Sequence, residues 1–66
     1  MINQYVFAAL LRRVIDGMAR VAQEGGDTRG LTIILNMRAA VDDGDIALCR
    51  RWMAILERHA GQGKYR

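Results

Sequence analysis

The chain has 66 residues, 52% of them hydrophobic and 26% charged, with a formal charge of +3 and one cysteine. That length holds a single domain, and chains so short bury only about 60% of their unfolded surface, so stability has to come from efficient helix packing or from association with another chain. One cysteine excludes an internal disulfide, one Cys with one His excludes a closed zinc site within the chain, and the hydrophobicity is too high for a disordered segment.

No proline interrupts the sequence. Turn-forming residues gather at Glu24-Gly25-Gly26-Asp27, at Asp42-Asp43-Gly44-Asp45 and from Gly61 onward, and they predict three helices. The first covers residues 2–23. Its apolar residues Val6, Phe7, Leu10, Leu11, Val14, Ile15, Met18, Val21 and Ala22 recur at spacings of three and four, with Arg12, Arg13, Asp16, Arg20 and Gln23 on the narrower polar side. Asp16 stands four residues from both Arg12 and Arg20, the spacing of ion pairs within a helix. Gly17 marks either a close helix crossing or a tolerated flaw costing about 1 kcal/mol against alanine.

The second segment, residues 29–41, contains Leu31-Thr32-Ile33-Ile34-Leu35, which is also good strand material. Continuation of the apolar pattern through Val41, and the lack of a second strand to pair with, favour a helix; a ribbon between two copies is the strand alternative. The third helix begins at Asp43 or Asp45, either of which can cap its first turn, and ends at Gly61. Leu48, Cys49, Trp52, Met53, Ile55, Leu56 and His59 occupy one half of its wheel, and Arg50, Arg51, Ala54, Glu57 and Arg58 the other. The expected fold is all-α: a domain over residues 1–60, with the long first helix packed on a helical hairpin, followed by a flexible basic tail at 61–66.

Groups that could carry chemistry are few. There is no serine, and Cys49 and His59 lie ten residues apart on one helix, about 15 Å at 1.5 Å per residue, too far to act as nucleophile and base. Cys49 reads as a small buried hydrophobe, and His59 as a helix-end residue bonding the last carbonyls. The aspartates at 42–45 lack the ligand spacing and closing glutamate of a calcium loop, and Gly25-Gly26 lacks the strand and lysine of a phosphate loop. No catalytic residue, metal or cofactor is expected.

What the sequence has in excess is apolar helix face. The arcs of the first and third helices span about half a wheel or more, wider than the roughly 100° that packs against one core, and surplus apolar surface marks interaction sites. Phe7, Leu11, Met18, Leu48, Trp52, Met53, Ile55 and Leu56 are the candidate protein interface. The expectation is a homodimer that acts by occupying a surface of a larger protein, as a regulator, inhibitor or adaptor does; a phage or mobile-element inhibitor fits this description. The alternative is a helix-turn-helix DNA regulator using Arg50, Arg51 and Arg58, with Arg38 as a further contact to nucleic acid or an acidic partner. Against it stand the three aspartates of the adjoining turn. The lone thiol, an uncharged N-terminal stretch and the absence of any run near 18 apolar residues lead to the expectation of a cytoplasmic protein with no membrane contact.

Overall fold

A computed structural model describes residues 4–64. They form three helices: α1 (Gln4–Glu24), α2 (Thr28–Asp42) and α3 (Ile46–Lys64). The stretch 31–35 is helical, so its β-branched residues are overridden by the apolar period that continues to Val41 and by burial of Ile33, Ile34, Met37, Ala40 and Val41.

Both connections use the same device. The Asp27 amide donates to the Ala22 carbonyl at 2.9 Å and the Gly26 amide to the Gln23 carbonyl at 3.2 Å; the Asp45 amide donates to the Ala40 carbonyl at 2.8 Å and the Gly44 amide to the Val41 carbonyl at 3.0 Å. This pair of bonds closes a helix only if its next-to-last residue is left-handed. Gly26, at φ 72°, and Gly44, at φ 75°, supply that conformation. The following aspartate then starts the next helix: Asp27 Oδ1 accepts from the Gly30 amide at 2.9 Å, and Asp45 Oδ1 from the Leu48 amide at 3.0 Å. Of the two aspartates that could cap α3, Asp45 does so, while Asp43 closes α2.

α3 continues to Lys64, past the boundary expected at Gly61. A glycine stops a helix when it adopts positive φ ahead of a closing hydrogen bond. Gly61 does not adopt it and simply extends the helix. Residues 65 and 66 of the expected tail lie outside the described residues, as do residues 1–3.

α2 is the centre of the molecule. It packs against both neighbours, while no Cα of α1 comes within 8 Å of one of α3 among the described residues. Arg12 of α1 pairs with Asp42 at 3.7 Å and Asp16 with Arg38 at 3.4 Å, so advancing four residues along α1 retreats four along α2: the two are antiparallel. These pairs join helices, whereas the sequence spacing pointed to pairs within α1. They are exposed and contribute about 0–1 kcal/mol each. α3 is antiparallel to α2 as well, tied to it by the Asp43–Asp45 turn at one end and by His59 against Asp27 at the other. The core comprises Ile15 and Ala22 of α1, Cys49 of α3 and the buried residues of α2, with Met37 wholly enclosed.

Since Asp42 lies opposite Arg12, the first two turns of α1 reach past the end of α2, where only Ala8 and Leu11 pack against the core. The long dimension, 42 Å against 21 and 20 Å, reflects this offset.

Candidate functional site

The candidate interface residues separate into two groups. Leu11, Met18, Trp52, Met53 and Leu56 are half-buried and pack against the core, so they first of all hold α1 and α3 onto α2. Trp52 in particular is an anchor within the chain. Phe7, Leu48 and Ile55 are exposed. Joining them at the surface are Val6, Leu10, Val14, Val21 and Leu35, which the sequence reading did not single out as interface residues. Periodicity had placed all but Leu35 on the apolar arc of α1, but periodicity cannot say which half of a wide arc a neighbour covers.

Apart from Leu35 on α2, these residues form two surfaces. On α1, the line through Val14, Gly17 and Val21 opens into a shallow groove of about 630 Å³, floored by Ile34 and walled by Leu56 and Ala60 of α3. The groove opens between α1 and α3, which both pack on α2 with no Cα of one within 8 Å of the other. On α3, the outward stripe holds Leu48, Arg51, Ile55 and Arg58 at successive spacings of three, four and three, one helix face alternating apolar and basic. Arg29 of α2 lies beside Ile55, Arg58 and His59. Arg50 is exposed on another side of α3. Arg38 belongs elsewhere, facing α1 through Asp16.

His59 bonds neither the last carbonyls of α3 nor a metal ligand set. Its Nε2 lies 2.9 Å from Oδ1 and 3.0 Å from Oδ2 of Asp27, linking the end of α3 to the residue that starts α2. Among the described residues no three His, Cys, Asp or Glu side chains cluster as a metal site would require. Cys49 is buried as expected, and desolvation pushes its thiol above the ordinary value of 9.0.

The Asp27 carboxyl is held below its ordinary 3.8, first by the Gly30 amide and then by the hydrogen bond to His59. The native state therefore binds this proton less readily than the unfolded chain. Its contribution to stability is complete above about pH 3.8 and is lost as pH falls through the depressed native value. Thermal melts at falling pH should show a loss of stability in the native chain that is smaller in Asp27→Asn, since asparagine still caps a helix but does not titrate. Identical acid profiles would remove Asp27 from this role.

No helix among the described residues is long and apolar enough to cross a membrane. No protein family, curated protein or solved structure matches the chain.

Proposed function

We propose that the protein is a binding module that docks the outer face of α3 on an acidic surface of a larger protein, as a regulator, inhibitor or adaptor does, and that it acts as a homodimer. The observation carrying this reading is the exposed stripe of Leu48, Arg51, Ile55 and Arg58, with Arg29 beside it. Arginine is enriched at interfaces and their hot spots, exposed apolar residues beside it add surface to bury, and the arginines define the charge of what they meet.

A helix-turn-helix reading has less support. There the recognition helix crosses its predecessor at roughly 90–120°. Here the turn at one end and the Asp27–His59 contact at the other keep α3 alongside α2 as a hairpin.

Affinity capture from cells that make the protein, comparing the native chain with an Arg51→Glu, Arg58→Glu variant, tests the proposal. The native chain should retain a protein with an acidic contact surface. Retention should fall about tenfold or more in the variant, because facing like charges cost several kcal/mol. Capture that the double reversal leaves unchanged overturns this use of α3. Retention of nucleic acid, weakening steeply with salt, would favour the DNA alternative.

A further inference from the structure

α1 carries two helix-packing seams, and the fold uses one of them. Ala8, Leu11, Ile15, Met18 and Ala22 follow each other at alternating spacings of three and four and pack into the core. Phe7, Leu10, Val14, Gly17 and Val21 repeat the same spacing one residue earlier. That alternation is the pattern of a helix meeting another helix over several turns, rather than of scattered surface residues. The second seam is open to solvent: Val14 is 60% exposed and Val21 71%.

The molecule's dimensions carry the same message. Its accessible surface is 5419 Å², whereas a compact monomer of 7.4 kDa has roughly 4,200 Å². Its radius of gyration is 12.4 Å, against about 10.8 Å for a compact domain of this length. The excess of about 1,200 Å² belongs to the whole molecule, its chain ends included, and is large enough to contain the ~800 Å² that each partner buries in a standard interface.

We infer that a second copy of the chain covers this seam, α1 lying antiparallel on the partner's α1 about a two-fold axis. The inference rests on the self-association in the reading above and assigns its surface and direction. An antiparallel pair centred on residue 12 sets the Phe7 and Val14 positions of one helix against the Gly17 and Leu10 positions of the other, with Val21 beyond the paired stretch. The largest side chain of the seam then meets the position that has none. A Cβ built on Gly17 would touch nothing within 4 Å, and the groove with its Ile34 floor continues from there. Filler and hollow are thus on the same helix, which is the self-complementarity that a two-fold contact requires. A parallel pair would set Phe7 on Phe7 and Gly17 on Gly17, crowding one end and leaving the other empty. Arg13 and Arg20 border the seam, so raising salt should strengthen the dimer by screening like charges, the opposite of its effect on capture of an acidic partner or of nucleic acid.

Sedimentation of the full chain at micromolar concentration should give the mass of two chains. Val14→Glu, a change at an exposed site, should give the mass of one with helical content unchanged. Under oxidising conditions, Leu10→Cys and Val14→Cys chains should crosslink to each other when mixed and not to themselves. A native chain with the mass of one overturns the inference and the self-association together. A dimer that persists in Val14→Glu overturns this seam alone, and one that crosslinks Val14→Cys to itself overturns the register or direction alone. Capture through α3 is read separately from both.

Discussion

Met37→Ala should lower the stability of the folded chain by about 2–5 kcal/mol, the usual cost of emptying a buried methionine site. Met37 is the wholly enclosed side chain of α2 and sits where the core residues of all three helices converge. A domain of this size has a total stability of only ~3–10 kcal/mol. One substitution therefore removes a large share of it, and a urea titration followed by circular dichroism should show the midpoint falling by about a fifth or more. Protein concentration has to be held fixed, because association adds to the apparent stability of a dimer. A loss below about 1 kcal/mol would mean that the three helices do not share one core around α2.

The second large effect is a reversal of sign between two glycines. Gly17 lies in the interior of α1, where alanine is favoured by about 1 kcal/mol, whereas Gly30 is the third residue of α2, within its first turn. At Gly17 a methyl group meets nothing, so Gly17→Ala should raise the stability of the dissociated chain by about that amount while weakening self-association, since it fills the hollow opposite Phe7. At Gly30 the added carbon would run into the Asp27 carboxylate. The carboxylate must then turn Oδ2 away from the added carbon, which costs the Oδ2 contact with His59, while the cap bond through Oδ1 can survive, as Asp45 caps Leu48, a residue that has a Cβ. Gly30→Ala should consequently melt at a lower temperature than the native chain despite its better helix former. Thermal melts of both variants in the Val14→Glu background, where association does not contribute, decide the matter, and a Gly30→Ala chain that melts no lower than its parent would overturn the account of the Asp27 junction.

How much of this was legible follows from the range of each interaction. Helix starts and stops at the two inner turns are written locally, as Gly26-Asp27 and Gly44-Asp45, and the sequence places them to within a residue or two. The end of α3 was misplaced because Gly61 has the residue type of a stop without the conformation. Ion pairing was misassigned for a different reason: Asp16 has arginines at helical spacing, and only the α1–α2 register shows that Arg38 is its partner. The Asp27–His59 contact spans 32 residues and was invisible for the same cause. The wide apolar arc of α1 was plain. Its division into a covered and an uncovered seam depends on where α2 lies, which no periodicity encodes.

That α1 and α3 offer separate exposed faces has a consequence for how strongly a partner could be held. A dimer built on α1, as proposed, would leave the outer stripe of α3 outside its seam on each copy and so would present two identical basic faces at fixed separation. A target with one acidic site feels a single face. A target with two, at matching distance, binds the second face from an effective concentration set by the first, and its apparent affinity rises by about 10²–10⁴ without any new contact. The spacing between the two copies of α3 would then select among targets, and Val14→Glu, by separating the copies, would abolish that preference while leaving each face intact.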